Sequence, residues 1–265
     1  EAVTAYLTNH GHLVTPSRLA LTASTSEAYG FLCKILCDAG DRIATPTPSY
    51  PLVEHLATLE GVQTVPYRLQ RRTGGWEIDD DSVREVLHTS HVRAVVVVNP
   101  NNPTGGVVDG EQAHRLRALC AEHDVALISD EVFGPYGPGA KPAPSLGDCG
   151  DDGPLTFVLD GLSKAALLPQ LKLAWIRTSG PRNAVARAMA ALEWVGDAYL
   201  SVGTPVQVGA AQLLALADGM QRQAHARLAA NRRTLAAALE GALGAKLVSS
   251  DAGWYGVIEL QGRQD

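Results

Sequence analysis

The stretch Ala94–Asn99, which reads Ala-Val-Val-Val-Val-Asn, constrains the fold of this chain more than any other. Its residues are apolar and mostly β-branched, without polar alternation, which indicates a strand buried on both faces. Such strands occur in sheets that carry helices on both sides. Similar runs follow at Ala126–Asp130, after the helical pattern Glu111–His123, and at Leu155–Leu159, after a Gly/Pro-rich loop. The sequence therefore predicts an α/β fold, with a mostly parallel sheet flanked by helices.

Shorter patterns complete the expected order of elements. A helix is expected to begin at Ser24 or Ser26, because Ser favours the N-cap, and to run to Cys37. The polar stretch Arg71–Glu77 predicts a turn. The other expected strands are Arg18–Thr22, Arg42–Thr45, Gln63–Tyr67 and Leu173–Ile176, and other helices are expected up to about Glu60 and over Asp79–His88.

A change of pattern near residue 220 predicts two domains. The long Ala-rich helical stretch Gln221–Leu243 is followed by two short strand-like runs, Lys246–Ser249 and Tyr255–Leu260. We therefore predict a large domain over 1–220, followed over 221–265 by an interdomain helix and the start of a small C-terminal α+β domain. Because the chain begins within a helical pattern and stops just after a strand-like run, we expect it to be part of a longer protein.

Composition and charge argue against several classes of function. The net charge of −6 and the absence of any Lys/Arg cluster longer than two residues argue against nucleic acid and anionic membranes as partners. No apolar run reaches the ~18 residues that a membrane span needs. The four cysteines form neither a disulfide pattern nor a zinc-site pattern, so we predict no metal and a reducing cytoplasmic setting.

Lys164 is the strongest candidate for a reactive residue. It comes a few residues after the expected strand Leu155–Leu159, and open α/β sheets bind ligands beyond the carboxyl ends of their strands. An apolar setting disfavours the ammonium form of a lysine and leaves a neutral amine that can condense with a carbonyl group. Taken alone, Ser163-Lys164 favours an ordinary surface lysine, and only the motifs elsewhere in the chain reverse this.

Two further polar residues stand at the ends of expected strands. Asn102 lies in Asn99-Pro-Asn-Asn-Pro-Thr-Gly105, where prolines on both sides restrict the backbone and would hold its amide in place. Asp130 ends the next strand, and a buried carboxylate there needs a cation or a donor. The simpler interpretations are a turn for Asn102 and a cap for Asp130.

An anion site and an aromatic platform are also indicated. Ser24, Thr25 and Ser26 offer hydroxyls and free N–H groups at the start of a helix, an arrangement that suits phosphate, although serine before a helix is commonly only an N-cap. Tyr50 stands between prolines after another strand, where its ring could stack on a planar ligand or belong to the core.

These motifs together resemble the fold-type-I pyridoxal-phosphate (PLP) aminotransferases of class I and II. The resemblance is carried by Asn-Pro-Asn-Asn-Pro-Thr-Gly, then Asp-Glu-Val-Phe, then Leu-Ser-Lys, each after an expected strand and in this order. The stretches Leu162–Trp175 and Tyr199–Gln207 are similar to a bacterial branch of the family. The resemblance covers essentially the whole chain but lacks the family's N-terminal arm and the end of its small domain.

The resemblance implies a cofactor, PLP, and a role for each candidate residue. Lys164 would form the internal aldimine and later move the proton, and Asp130 would keep the pyridine nitrogen protonated. Asn102 would donate to the 3-oxygen of the ring and Tyr50 would stack on it. The phosphate would be bound by Ser24, Thr25, Ser26 and Lys172, and Phe133 would lie beside the 3-oxygen.

Three residues depart from the pattern of many relatives. Phe133 stands where a tyrosine is common, Lys172 where a phosphate-binding arginine is common, and Gly161 where a serine is common. A lysine offers a point charge instead of a bidentate fork. The arginine that binds the substrate carboxylate in the family has no counterpart here, since Arg263 has a different sequence context.

The function implied by the resemblance is amino-group transfer between an amino acid and a 2-oxo acid, in a homodimer whose Leu200–Gln207 loop reaches the partner's phosphate site. Two alternatives share these motifs: another fold-type-I PLP enzyme, such as a C–S or β-lyase, and a PLP-binding domain without catalysis. A dinucleotide-binding domain is disfavoured because no G-x-G-x-x-G follows a strand.

Overall fold

A computed structural model describes residues 1–200, 202–242 and 244–260 of the chain. Its strands are β1 (Leu19–Thr22), β2 (Arg42–Thr47), β3 (Gln63–Arg72), β4 (Gly75–Ile78), β5 (Val92–Val98), β6 (Ala126–Asp130), β7 (Thr156–Gly161), β8 (Ala174–Ser179), β9 (Ala245–Leu247) and β10 (Ile258–Leu260). Its helices are α1 (Ala2–Asn9), α2 (Thr25–Leu36), α3 (Leu52–Leu59), α4 (Asp80–Thr89), α5 (Gly110–Glu122), α6 (Leu162–Ala165), α7 (Arg182–Tyr199), α8 (Thr204–Ala215) and α9 (Ala217–Leu239).

The main sheet has eight strands in the order β1-β8-β7-β6-β5-β2-β3-β4. The five central strands from β7 to β3 are all parallel to one another. β8 is antiparallel to both β7 and β1, so β1 runs in the same direction as β7. The predicted mostly parallel α/β sheet is therefore confirmed.

Helices cover both faces of this sheet, as the run in β5 required. Ala94 and Val96 are buried in one apolar cluster together with residues of α2, α3 and α7. Val95 and Val97 are buried in a second cluster, with residues of α4 and α5. Because neighbouring residues of a strand point to opposite faces, the uninterrupted apolar sequence follows directly from the two helical layers.

One local prediction is wrong. The stretch predicted as a polar turn, Arg71–Glu77, is mostly strand: β3 continues to Arg72, and β4 begins at Gly75 and pairs antiparallel with it. The reversal needs only two residues, of which Gly74 has a φ of +92° that a glycine adopts without strain. The hairpin forms because Ile78, in the second strand, is buried in the core.

The C-terminal part consists of the long helix α9 and a two-stranded antiparallel sheet of β9 and β10. The strand-like runs of this region were thus predicted with the right type and longer bounds. The boundary near residue 220 stays a prediction, and residues 243 and 261–265 of the predicted second domain lie outside the described residues. Within the described residues, no helix is both long enough and apolar enough to cross a membrane.

A substitution of Phe157 in β7 measures how much the central core contributes to the free energy of unfolding. The Phe157 side chain has 0% exposure and is packed in the cluster between the sheet and α2. We expect Phe157→Ala to lower the free energy of unfolding by about 3–5 kcal/mol, because the lost contacts leave a cavity. Leu59, with 81% exposure, provides the control: Leu59→Ala should stay within about 0.5 kcal/mol in the same urea titration.

Candidate active site

The topology brings the four strongest candidates to one edge of the sheet. β2, β5, β6 and β7 are neighbours and run parallel, so their carboxyl ends share an edge. Tyr50, Asn102 and Lys164 follow the ends of β2, β5 and β7, and Asp130 is the last residue of β6. Residues spread over more than a hundred positions of sequence are thereby gathered at the edge where such sheets bind ligands.

The phosphate candidates lie at the same edge. β1 runs in the same direction as β7, so its carboxyl end delivers the start of α2, with Ser24, to this edge. Lys172 precedes β8, whose first residues are paired with the end of β7. One open groove is lined by Ala23, Glu27 and Lys172 together.

Lys164 lies on the short helix α6, directly after β7. Its Nζ is 5.9 Å from the centre of the Phe133 ring, which is buried. The Tyr136 hydroxyl donates a hydrogen bond of 2.9 Å to the main-chain oxygen of Lys164. Two aromatic residues from the segment after β6 therefore fix the position of the lysine backbone and flank its amine.

Asp130 is held by two donors and stands close enough to Lys164 to be influenced by its charge. The Tyr29 hydroxyl donates to Oδ2 at 3.1 Å, and the Val132 N–H donates to Oδ1 at 3.3 Å. Burial nevertheless raises the pKa of Asp130 to about 6, against the opposing effects of these donors and of the Lys164 charge. The carboxyl group therefore lacks a full counter-charge in the protein alone, and a bound cation at this position would favour its ionised form.

Asn102 has a side chain whose hydrogen-bonding groups are free. Its neighbour Asn101 is fully used, because it donates to Pro48 O and Thr104 Oγ1 and accepts from the Ser49 hydroxyl. Asn102 itself is 9% exposed and, among the described residues, makes no side-chain hydrogen bond. The amide atoms themselves reach solvent, so this group is open to a ligand at the edge of the sheet.

The hydrogen bonds of Asn101 also fix the position of the segment that carries Tyr50. Ser49 and Pro48 are bonded to Asn101, so the loop after β2 and the loop after β5 are tied together. Tyr50 is 47% exposed, and its ring therefore presents a free face at this edge. The structure thus places Tyr50 beside the Asn102 loop, and its stacking role stays a prediction.

The start of α2 is a capped helix end with free donor groups. Ser24 Oγ accepts from the Glu27 N–H at 3.1 Å, and Glu27 Oε2 accepts from the Ala23 N–H at 2.6 Å, a reciprocal pair that differs from a capping box in bonding the N–H one residue before the N-cap. The predicted N-cap is therefore confirmed at Ser24. The Ser24 hydroxyl hydrogen and the first-turn N–H groups of Thr25 and Ser26 keep their donor capacity, since the first turn of a helix has no intrahelical acceptors for them.

The absence of a serine at position 161 has a packing cause. Gly161 is paired with Ala174 across β7 and β8. A Cβ at residue 161 would lie 2.8 Å from Ala174 Cβ and 2.9 Å from the Leu173 carbonyl oxygen. A serine cannot be accommodated there without moving β8, so this chain cannot supply that additional hydroxyl to a phosphate.

Sequence reasoning missed several residues that the fold adds to the site. Tyr29 and Tyr136 bond Asp130 and the Lys164 main chain, and each lies in an apolar helical or loop context that gives no separate signal. A weak signal exists, because the hydroxyl of a buried tyrosine usually needs a partner. Asp160 is also buried, and burial raises its pKa well above the usual value; its carboxylate accepts from the Gly161 N–H at 2.7 Å.

Comparison with known proteins identifies similar chains. Residues 1–264 match the family described as Aminotransferase class I and II. The alanine aminotransferase of Mycobacterium tuberculosis (strain ATCC 25618 / H37Rv) is 29% identical over 182 residues, which cover 69% of this chain and 42% of that protein. Nicotianamine aminotransferase 1 of Oryza sativa subsp. japonica is 30% identical over 163 residues, covering 62% of this chain and 32% of the relative. The chain therefore spans less than half the length of these curated relatives.

Solved structures agree with the fold. The alanine aminotransferase from Pyrococcus furiosus superposes with a TM-score of 0.87 at 25% identity, over 99% of this chain and 66% of that one. A PLP-bound C–S lyase from Staphylococcus hominis gives a TM-score of 0.84 at 23% identity, over 97% of this chain and 64% of that one. The second likeness concerns the fold alone.

The raised pKa of Asp130 predicts a pH-dependent stability. Because its folded-state pKa of about 6 exceeds the unfolded value, the folded state binds the additional proton, and stability falls as the pH rises from about 4 to about 6. Asp130→Asn removes this effect. In cofactor-free protein, the free energy of unfolding of the variant should exceed that of the natural sequence by an amount that grows with pH. The difference should reach about 1–3 kcal/mol between about pH 4 and pH 7.

Urea titrations at several pH values measure this change. The exposed Asp152 serves as the control, since Asp152→Asn should leave the pH profile of the natural sequence unchanged. A stability difference between Asp130→Asn and the natural sequence that stays constant across this range would contradict the prediction.

Proposed function

Because the chain belongs to the class I and II aminotransferase family, we propose that it transfers an amino group between an amino acid and a 2-oxo acid, with PLP as its cofactor. The observation that carries the proposal is the convergence of Lys164, Asp130 and Asn102 after three neighbouring parallel strands. The unpartnered amide of Asn102 and the uncompensated carboxyl of Asp130 fit the donor and acceptor needs of a protonated pyridine ring with a 3-oxygen.

Lys164 is the residue that performs the covalent and proton-transfer steps. When bound, the cofactor supplies a pyridine ring that withdraws electrons from the substrate carbon. The Lys164 amine would hold the cofactor's carbonyl group and, when free, would remove and return the proton at the substrate's α-carbon. The Tyr136 bond to the Lys164 main chain keeps the amine at the edge of the sheet during these steps.

Asp130 keeps the proton on the ring nitrogen. Its half-buried carboxylate is oriented by Tyr29 and Val132, so little reorganisation is needed when it meets the N–H of the ring. Pairing with this cation lowers the raised pKa of Asp130 and stabilises both charges. Asn102 donates to the 3-oxygen, while Phe133 offers no hydroxyl there.

The phosphate is bound at the start of α2. The hydroxyls and N–H groups of Ser24, Thr25 and Ser26 donate to it, and the positive end of the helix dipole favours its charge. Lys172, across the same groove, adds a point charge. Tyr50 stacks on the ring from the loop after β2, where half of its side chain is free.

We extend the proposal to assembly and setting. A homodimer is favoured by exposed apolar residues on α7, just after its end and on α8: Trp194 is 82% exposed, Leu200 79% and Val208 75%. The stretch Leu200–Gln207, predicted as a loop, ends in the first turn of α8 from Thr204 onward, and its Ser201 lies outside the described residues; it would reach the phosphate site of the partner. Four free cysteines within the described residues fit a reducing cytoplasm, and the domain boundary is proposed at residue 220.

A donor screen tests the proposed reaction. The protein is mixed with PLP, single amino acids and a 2-oxo acid acceptor, and the visible spectrum and products are recorded. Amino transfer forms one 2-oxo acid for each amino acid produced and releases no ammonia. A β-lyase would instead release pyruvate with ammonia, and a non-catalytic PLP-binding domain would bind the cofactor without forming products. Either of these results would replace the proposal.

Lys164→Ala is expected to abolish both turnover and covalent retention of the cofactor, because Lys164 is the lysine that follows the end of β7 at the site. After borohydride treatment, mass spectrometry should find the cofactor's mass on the natural chain and not on the variant. Lys141→Ala, at an exposed position, serves as the control and should retain both properties. Cofactor mass on the Lys164→Ala chain would assign the role to another lysine.

The dimer proposal predicts that a charge on the α8 surface separates the protomers. Val208→Glu should shift the mass measured by light scattering from dimer to monomer, because burial of an unpaired carboxylate is unfavourable. Gln223→Glu adds the same charge at an exposed position of α9 and should leave the mass unchanged. A natural chain that is monomeric and fully active would contradict the proposal.

A further inference from the structure

We propose that Arg232 is a positioning residue that holds the turn Ser250–Gly253 against the loop that carries Asn102 and against Tyr136, which supports the Lys164 helix. This inference rests on the proposed function, because that proposal makes Asn102 and Lys164 the residues that contact the cofactor. The contacts themselves are independent of it.

Arg232 lies on α9 and directs its guanidinium group at main-chain oxygens. Its Nη2 donates to Ala252 O at 2.9 Å and to Gly253 O at 3.1 Å, and its Nη1 donates to Ser250 O at 3.5 Å. A guanidinium group presents several donors in one plane and can therefore fix consecutive carbonyls of a tight turn. The turn is thus shaped by Arg232 from one side.

The N–H groups of the same turn face the active-site loops. The Ala252 N–H donates to Gly105 O at 3.0 Å, in the loop that carries Asn102. The Gly253 N–H donates to Tyr136 O at 2.9 Å, and the Tyr136 hydroxyl donates to Lys164 O. Two consecutive peptide groups therefore bridge the Asn102 loop and the Lys164 helix.

The contact between the turn and the Asn102 loop has no spare room. Gly105 has a φ of +70°, and a Cβ there would lie 1.9 Å from Ser250 Oγ and 2.4 Å from Ala252 O. Next to it, the Trp254 ring packs against Phe133 and Tyr136, with ring centres 5.3 Å and 5.1 Å apart. A small displacement of the turn therefore has to be transmitted to the loops on both sides.

The turn is also bonded to the β3–β4 hairpin on the side away from Arg232. Arg232 is therefore not needed to attach the turn to the protein, and its role is to fix the turn's position. Arg72 pairs with Asp251 at 2.8 Å, and the Ser249 hydroxyl donates to Gly74 O at 2.8 Å, both at the β3–β4 hairpin. Removal of Arg232 therefore leaves the turn in place but removes the donors to Ser250 O and Gly253 O, while Ala252 O keeps its bond from the Ser250 hydroxyl at 3.0 Å. We expect the variant to fold, with a less fixed distance between the Asn102 loop and the Lys164 helix.

Hydrogen exchange measured by mass spectrometry on the cofactor-free chain tests this coupling. In Arg232→Ala, amides of residues 249–255, 101–106 and 132–137 should all exchange faster than in the natural chain. Arg233→Ala removes the neighbouring, exposed arginine of the same helix and should leave all three segments unchanged. Arg232→Lys keeps the charge and a donor, so it should restore part of the protection.

Cofactor binding provides the second measurement. The dissociation constant of PLP, followed by its absorbance, should rise about tenfold in Arg232→Ala, as expected for the loss of roughly one well-placed hydrogen bond, and Arg233→Ala should match the natural chain. A natural chain that binds no PLP would refute the proposed function, while the exchange data would still decide the coupling.

Faster exchange confined to residues 249–255, with unchanged PLP affinity, would overturn the inference and make Arg232 a support of the C-terminal turn alone. Should Arg232→Ala not fold, Gly105→Ala provides a second test, because its Cβ pushes the Ser250–Gly253 turn away from the Asn102 loop. Amide exchange should then become faster in the same three segments. Unchanged exchange in 132–137 in that variant would equally overturn the inference.

Discussion

β5 is apolar on both faces, and this constraint limits where chemistry is possible. β5 uses alternate residues to pack against two helical layers, so neither face has a position for a functional polar group. Polar side chains are therefore displaced to the strand ends. Since β2, β5, β6 and β7 are parallel, those ends coincide at one edge, and a site is assembled there by topology.

Burial at that edge also sets the electrostatics. Asp130 sits at the boundary between the core and the edge, where desolvation outweighs the stabilisation by its two donors and raises its pKa to about 6. Glu131 and Asp160 are buried nearby, and burial raises the pKa of each of these carboxyls as well. A concentration of under-compensated carboxyl groups destabilises the protein alone and favours binding of a positively charged group.

The sequence was sufficient to predict the residues that follow strands along the chain. Lys164, Asp130 and Asn102 are each adjacent to an apolar run, so a strand pattern points to them directly. Tyr29, Tyr136 and Arg232 contribute through partners about a hundred, 28 and 18–21 residues away, and such pairings appear only when the tertiary fold is known. The β3–β4 hairpin was missed for a related reason, because the burial of Ile78 depends on core neighbours that the polar stretch before it does not reveal.

The close pairing of Gly161 and Ala174 bears on how this site could have diverged from its relatives. Shortening residue 174 to glycine would not make room for a serine at 161, because the Cα of residue 174 and the Leu173 carbonyl oxygen each stay within 2.9 Å of the new Cβ. Neither one substitution nor this pair of substitutions therefore converts a site with glycine at position 161 into one with serine. The two forms of the site differ in the spacing of β7 and β8, so divergence between them requires movement of the backbone.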